Sequence, residues 1–344
     1  IKGVLNPSNL LSSADNAPLP EIYSLTPGLA TFANSNILHL SFVVKFIILL
    51  FNCHNTQNTG EMKIQQIPLE KQITYGISLS MRVPYELYIN DIKADCDYVG
   101  ANSGVDMNPY ILKNGKYKVK LRIFPAFKAG EKLIEFDDIE KSNISFDSYI
   151  RNKETDEILN YNSIPLPIVA PKEDVPYFEQ EWDVELTELP YELEGWSKGQ
   201  DLRKWDKKEL EKKVVAYYQK LWRLLNNGEG ERYMDLWKQA DQELMFYDYE
   251  TDYDSIYKEE SEEIKKNCTD NMIYLEDYEM KLYAEGRLVC LERKTHTREF
   301  NNYFPLDLKG WSPLVRKGQV RGGAEFPVKL YLPEGSNEFV IIRH

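Results

Sequence analysis

From Gln72 to Leu189 apolar and polar side chains alternate along the chain, which is the period of a β-strand. Successive side chains of a strand point to opposite faces, so such segments build sheets with one buried and one solvated face. The alternation predicts strands at residues 73–81, 85–89, 116–124, 132–136, 145–150 and 178–186. Because no helical period interrupts them, we predict a small antiparallel β-sandwich over residues 72–189.

The pair Asn114-Gly115 stands between Tyr110–Lys113 and the strand predicted at 116–124. Asn-Gly tolerates the positive φ angles of a type I′ turn, whose twist matches that of paired strands. The sequence therefore predicts a β-hairpin centred on this pair.

A helical period begins after residues 190–205, which carry Pro190, Gly195 and Gly199 and are predicted to form a linker. Asp206 is the expected N-cap of the first helix, which ends at Asn226-Asn227-Gly228. Two more helices are predicted at residues 231–244 and 255–267.

The period then returns to two at residues 272–283 and 287–297, and again at 328–332 and 338–342. Each pair of segments flanks a turn and predicts a hairpin. Helices followed by an antiparallel meander predict an α+β domain over residues 206–344. The expected fold class is therefore mixed, with an N-terminal antiparallel β-sandwich and a C-terminal α+β domain.

The apolar run from Leu38 to Phe51 contains Lys45 and is too short to span a bilayer comfortably. It fits the apolar region of a secretory signal within a segment at 37–53. Residues 1–36 show no periodicity and are interpreted as a non-native or disordered leader, and residues 54–71 as a polar tether. An alternative is a cytoplasmic protein that starts at Met62.

The run ends in Leu49-Leu50-Phe51-Asn52-Cys53, which resembles the lipobox of bacterial lipoproteins, with Asn52 where a small residue is usual. This resemblance implies cleavage before Cys53 and lipid attachment to it. The expected location is then the bacterial cell envelope, with the folded part facing the periplasm and the membrane contacted only through the lipid.

Two further resemblances concern the folded part. The segments PYELYIND and ILKNGKYKVKLRI are similar to PEGA-type and immunoglobulin-like modules of exported proteins. The order of elements after Asp206 is similar to that of NTF2-like and cystatin-like folds. Both imply a fold and leave the activity open.

The formal net charge is −13, which disfavours nucleic acid and favours a protein partner with a basic surface. The acidic, aromatic segment 246–254 lies between two predicted helices. We expect this segment and Glu259 to form a binding loop, whose candidate residues are Tyr247, Asp248, Tyr249, Glu250, Asp252, Tyr253, Asp254 and Glu259.

The same loop resembles the calcium loop of an EF-hand, which would place Asp248, Glu250, Asp252, Asp254 and Glu259 as ligands. Tyr253 stands where that loop needs glycine. We expect no cofactor, and calcium is the alternative. A third interpretation is a solvated acidic loop whose tyrosines pack on the sheet.

The sequence offers little for catalysis. Of its four histidines only His296 lies within the predicted fold, and no phosphate-binding glycine loop is present. Among Cys96, Cys268 and Cys290, any pair could oxidise in an exported protein, and buried free thiols are the alternative.

We therefore expect a non-enzymatic lipoprotein that binds a protein or a ligand, in a specific version as a toxin-neutralising immunity protein. One alternative is a carboxylate-type hydrolase acting on cell-wall glycans. The other is a cytosolic binding protein.

Overall fold

The computed structural model describes residues 23–24, 67–126, 129–296, 307–318 and 323–343. The predicted signal segment, Cys53 and most of the predicted leader and tether lie outside these ranges. Within the leader, Tyr23–Ser24 forms a short strand, β1. No helix in the described ranges is long and apolar enough to cross a membrane.

The N-terminal part is an antiparallel β-sandwich, as predicted. Its strands are β2 (Ile73–Ser80), β3 (Tyr85–Ile89), β4 (Ile92–Asp97), β5 (Asn102–Asp106), β6 (Gly115–Ile123), β7 (Asn143–Asn152), β8 (Glu157–Pro165) and β9 (Phe178–Leu186). They form two four-stranded sheets, in the orders β5-β2-β7-β8 and β4-β3-β6-β9. Ile77 of one sheet and Leu87 and Leu121 of the other are fully buried in a single core. The alternation of apolar residues therefore identified the buried faces correctly.

The hairpin predicted at Asn114-Gly115 is wrong. Residues 108–110 form a 3₁₀ turn instead of a strand, and β6 pairs with β3 and β9 on its two edges. The Asn114 amide donates to the Leu189 carbonyl at 3.0 Å, and its oxygen accepts the Leu189 N–H at 2.8 Å. A contact 75 residues distant in sequence thus overrides the local turn signal.

The strand predicted at 132–136 is also wrong. Ile134 makes a single bridge to Val175, and a short helix α1 follows at Phe136–Glu140. Asp137 and Asp138 lie in its first turn, where acidic side chains interact favourably with the helix dipole.

Four helices open the C-terminal part: α2 (Lys207–Asn226), α3 (Gly230–Met234), α4 (Lys238–Tyr247) and α5 (Tyr253–Asn267). Asp206 caps α2 as predicted, because its carboxylate accepts the N–H groups of Lys208 and Glu209 at 3.0 Å. The second predicted helix is divided into α3 and α4. The close approach of Gly230 to the backbone of Ser261 brings α3 against α5.

An antiparallel sheet follows the helices and confirms the predicted meander. It contains β10 (Tyr278–Tyr283), β11 (Leu288–Arg293), β14 (Lys329–Tyr331) and β15 (Val340–Arg343), in that order. Between them, β12 (Val315–Lys317) and β13 (Gly323–Glu325) pair with each other, and β1 lies parallel to β13. Tyr218 of α2 and Trp237 are buried against this sheet.

The predicted linker packs between the sandwich and the α+β part. Tyr191, Trp196 and Leu202 are buried there. Arg343, 1 % exposed, donates to the Pro109 carbonyl at 2.7 Å and stacks over the Trp196 ring at 5.1 Å. Buried contacts therefore join residues 190–205 to the sandwich and to the α+β part.

Candidate binding cleft

The tyrosines of the predicted acidic loop attach the α+β part to the sandwich. Tyr247 and Tyr249 are buried in the sandwich core. The Tyr249 hydroxyl donates to the Ile73 carbonyl at 2.6 Å, and the Asn108 amide donates to the Tyr247 carbonyl at 3.1 Å. Because their rings are covered, these two tyrosines have a structural role in this arrangement.

The carboxylates of the loop do not converge on one site but have separate partners. Asp248 and Glu250 both contact the Lys153 ammonium, Asp248 at 3.0 Å. Asp252 caps α5 by accepting the N–H of Ser255 at 3.0 Å.

The side chains of Asp254 and Glu259 are exposed on α5, and Tyr253 is half-buried. Throughout the described ranges, no group of three or more His, Cys, Asp and Glu residues is placed to hold a metal ion. The loop therefore has exposed carboxylates at Asp252, Asp254 and Glu259, while Tyr247 and Tyr249 face inward.

A buried ion pair joins the sandwich to the α+β part. Lys93 of β4 lies 2.5 Å from Glu292 of β11 and also donates to the Gly310 carbonyl at 2.9 Å. The other oxygen of Glu292 accepts the Tyr283 hydroxyl at 2.6 Å. Burial opposes a charge on Lys93, but the negative charges of the ionised Cys96 thiolate, the Glu292 carboxylate and the ionised Cys290 thiolate outweigh it and raise the pKa of Lys93.

A β-bulge places Lys93 and Cys96 on the same side of β4. The register shifts along β3, so that Glu86 pairs with Cys96 while Tyr88 pairs with Lys93. Residues 93 and 96 would point to opposite faces of a regular strand. The extra residue brings both toward the α+β part.

A cavity of about 420 Å³ opens beside this ion pair. Besides Lys93 and Glu292, its charged lining includes Glu325 of β13 and Lys329 of β14. The Ser312 N–H donates to Glu325 at 2.6 Å, and the Lys329 ammonium lies 5.6 Å from the centre of the Tyr110 ring. Burial is the main cause that raises the pKa of Glu325 to about 7, and burial lowers the pKa of Lys329.

Two thiols line the same cavity. Cys96 and Cys290 are free, and burial raises the pKa of Cys96 to about 12 and that of Cys290 further. The third described cysteine, Cys268, is free and buried in the helical core. The alternative of buried free thiols fits Cys268 and Cys290, whereas Cys96 is free and half-buried.

A second cleft of about 500 Å³ adjoins the first, since Glu292 and Gly310 line both. It is walled by Tyr88 and Tyr98, whose hydroxyls donate to Glu86 at 2.7 and 2.5 Å.

His296 lies near this second cleft. Its ring meets the Tyr98 ring edge-on, with the ring centres 5.2 Å apart. Its Nδ1 lies 2.7 Å from the Asp307 carboxylate. This contact, whose two residues lie 11 positions apart, was not predicted from the sequence.

Sequence reasoning did not identify Lys93, Glu292, Glu325 or Lys329. Two of these four residues, however, have sequence neighbours that indicate a buried charge. Glu292 follows the apolar run Leu288–Leu291, and Lys329 is enclosed by Val328 and Leu330. A charged side chain inside an otherwise apolar strand indicates a buried charge, which needs a partner.

Comparison with known proteins gave no relative: no family model, no curated protein and no solved structure matches this chain.

Proposed function

We propose that this chain is an exported, lipid-anchored binding protein and that the cleft between the sandwich and the α+β part is where it binds a small polar ligand. The lipobox-like segment ending at Cys53 supports the anchor. The observation that carries the binding site is the cavity of about 420 Å³ lined by buried charges from both parts.

Buried charges support a binding role because they are expensive for the fold. Moving a lysine or a carboxylate out of water costs several kcal/mol, and a well-packed apolar replacement of a buried ion pair is often as stable or more so. Stability alone therefore does not explain Lys93, Glu292, Glu325 and Lys329 in one cavity. The volume lies within the range of about 300–1,000 Å³ that is usual for ligand pockets.

The chemistry of the lining favours binding over reaction. Both oxygens of Glu292 are engaged, by Lys93 and Tyr283. The thiols of Cys96 and Cys290 have raised pKa values, which keep them in the weakly nucleophilic protonated form at neutral pH.

A second candidate function is that of a toxin-neutralising immunity protein, in which a basic protein docks on the acidic surface. The observation that favours it is the exposure of Asp252, Asp254 and Glu259 in a chain of net charge −13. A fluorescent decalysine peptide serves as the probe. Its affinity should fall with salt and should fall further in the double variant Asp252→Asn/Asp254→Asn.

Blocking the cleft tests the preferred function. Gly104 of β5 lines the cavity, and a Cβ at this position meets nothing within 4 Å. Gly104→Trp should therefore fill the cavity without disturbing the backbone. The matched control is Asn162→Trp on β8, which is exposed at the opposite edge of the same sheet.

The readout is the melting temperature of wild type and both variants against a panel of charged and uncharged metabolites. Ligands of the native state raise the melting temperature by mass action. We expect at least one compound to stabilise wild type and Asn162→Trp but not Gly104→Trp. If no compound separates Gly104→Trp from the other two proteins, the cleft is not the binding site.

A further inference from the structure

Three aromatic rings form a row along the second cleft, at one end of the sheet β4-β3-β6-β9. Tyr98 directly follows β4, Phe124 directly follows β6 and Tyr177 directly precedes β9, and the strand register brings these three ends together. The centre of the Phe124 ring lies 6.3 Å from that of Tyr98 and 5.7 Å from that of Tyr177. Tyr177 is 44 % exposed and Phe124 is half-buried, so this end of the row is accessible to a ligand.

Hydrogen bonds hold the rings of this cleft in place. The Tyr177 hydroxyl donates to Glu179 at 2.5 Å, and Nε of Arg122 donates to the same oxygen at 2.7 Å. The Arg122 guanidinium also donates to the Tyr88 hydroxyl at 3.2 Å and lies 4.7 Å from the centre of the Tyr88 ring. The Tyr88 hydroxyl in turn donates to Glu86 at 2.7 Å. Because these side chains are already ordered, less entropy is lost when a ligand packs on them.

Ion pairs line both walls of the cleft. On the sandwich wall, the Lys120 ammonium lies 2.9 Å from the Glu181 carboxylate, which repeats the arrangement of Arg122 one pair along β6. On the opposite wall, the Lys281 ammonium lies 2.7 Å from the carboxylate of Glu279, also in β10. The side chains of these pairs are partly exposed. The walls therefore present hydrogen-bond donors and acceptors side by side.

Such a lining discriminates between classes of ligand. A purely apolar ligand would remove water from the ion pairs without replacing its hydrogen bonds, which is unfavourable. An ion would compete with the partner that each of these charged groups already has. A neutral polyol can accept from the cation and donate to the carboxylate of one pair while the pair stays intact. In a sugar, the C–H groups of the ring also provide an apolar face that packs on an aromatic ring.

From the aromatic row and the ion pairs together, we propose that the second cleft binds a neutral saccharide. One sugar ring packs on Tyr177 and Phe124, and its hydroxyl groups bond to the ion pairs of the two walls. The volume of about 500 Å³ lies within the range of about 300–1,000 Å³ that is usual for ligand pockets. This site goes beyond the proposed function, because Gly104 and the buried charges of β13 and β14 line the first cavity and not the second.

The test is isothermal titration calorimetry of the full folded chain with cellohexaose, maltohexaose, mannohexaose and xylohexaose. We expect at least one of these neutral saccharides to bind with a Kd below about 1 mM. Its affinity should change less than about twofold between about 0.05 and 0.5 M salt, because a neutral ligand has no charge to screen. Hexagalacturonate is the anionic control, since Lys294 and Lys309 also line the cleft.

Variants at the exposed ring test the packing contact. Tyr177→Ala should lower the affinity at least about tenfold, as the loss of a central aromatic contact does. Tyr177→Phe keeps the ring and loses only the hydrogen bond to Glu179, so its affinity should stay within about threefold of wild type. The matched control is Tyr161→Ala, at an exposed tyrosine of β8 in the other sheet, which should bind like wild type.

Lys281→Met tests the opposite wall. It removes one cation of the ion pairs and should weaken binding at least about threefold. Because Lys281 is 38 % exposed, this variant and the Tyr177 variants change the surface of the cleft rather than the core, and circular dichroism verifies their folding.

The outcomes separate this proposal from the proposed function. The saccharide site is overturned if no neutral hexasaccharide binds, if Tyr177→Ala binds as tightly as Tyr161→Ala, or if hexagalacturonate binds more tightly than every neutral saccharide and loses affinity with salt. It is also overturned if Gly104→Trp abolishes binding and Tyr177→Ala does not, because the saccharide then occupies the first cavity. Binding that is lost in Tyr177→Ala and kept in Gly104→Trp supports the saccharide site, whatever the metabolite panel shows for the first cavity.

Discussion

Asp241 is a buried carboxyl group that should make the stability of this protein depend on pH. It lies in α4 with 1 % of its surface exposed. The Tyr253 side chain interacts with it, and Oδ2 has no hydrogen-bond partner among the described residues. Burial is the main cause that raises its pKa from 3.8 to about 7, and the nearby Glu260 carboxylate adds to it.

A raised pKa means that the folded state holds the proton more tightly than the unfolded state. Between pH 3.8 and 7 the unfolded chain loses this proton while the folded chain retains it, so stability falls as the pH rises. Each pH unit well below the folded-state pKa corresponds to about 1.4 kcal/mol, and the slope halves at pH 7, so the loss of stability between pH 5 and pH 7 is about 2 kcal/mol. Asp241→Asn keeps the shape and an acceptor for Tyr253 but cannot ionise.

Chemical denaturation at pH 5, 6, 7 and 8 measures this effect. The stability of Asp241→Asn relative to wild type should grow by about 2 kcal/mol between pH 5 and pH 7 and level off by about pH 8. The control is Asp254→Asn, at an exposed aspartate of α5, which should show no such growth. A difference between Asp241→Asn and wild type that stays constant with pH would refute the reasoning.

Three further predictions concern the Lys93–Glu292 ion pair, the acidic loop and Cys53. Lys93→Met should destabilise the fold by about 3–5 kcal/mol, and adding Glu292→Gln should recover much of this in urea denaturation, because the single variant leaves a buried charge unpaired. Calcium should not raise the melting temperature, since the Lys153 ammonium already contacts Asp248 and Glu250; a rise reversed by EDTA would contradict this. In a bacterium fed labelled palmitate, the label should enter the chain and be lost in Cys53→Ser, whereas an unlabelled wild type would disprove the anchor.

The parts of the fold that the sequence predicts well depend on local physics. The Asp206 cap and the buried face of β6 follow from residues within a few positions of each other. The strand at β9 is predicted with the same bounds as the structure has, because Phe178–Leu186 alternates and is bounded by turn-forming residues.

Local signals fail where a distant contact competes with them. Asn-Gly at 114–115 favours a tight hairpin, yet the two hydrogen bonds of the Asn114 amide to Leu189 fix a different path. The edge strand β8 shows no alternation of burial and was not predicted, since it contributes little to the core. Its existence depends on pairing with β7, which the pattern of apolar residues does not encode.

The candidate cleft lies beyond local prediction for a different reason. Lys93 and Glu292 are separated by 199 positions, and a bulge decides that Lys93 and Cys96 share a face. Neither the pairing of β4 nor its bulge is visible in the sequence. A charged residue within an apolar strand indicates only that a partner exists, and the fold identifies that partner.

The acidic loop shows how one pattern supports two opposite roles. The alternation of tyrosines and carboxylates from 247 to 250 places two rings on one side of the chain and two carboxylates on the other. For a free loop this predicts an aromatic, acidic surface. Here the rings enter the sandwich core and the carboxylates meet Lys153. The loop therefore helps to fix how the α+β part sits on the sandwich, and the cleft lies between these two parts. Substitutions such as Tyr249→Ala should then weaken binding in the cleft without touching any residue that lines it.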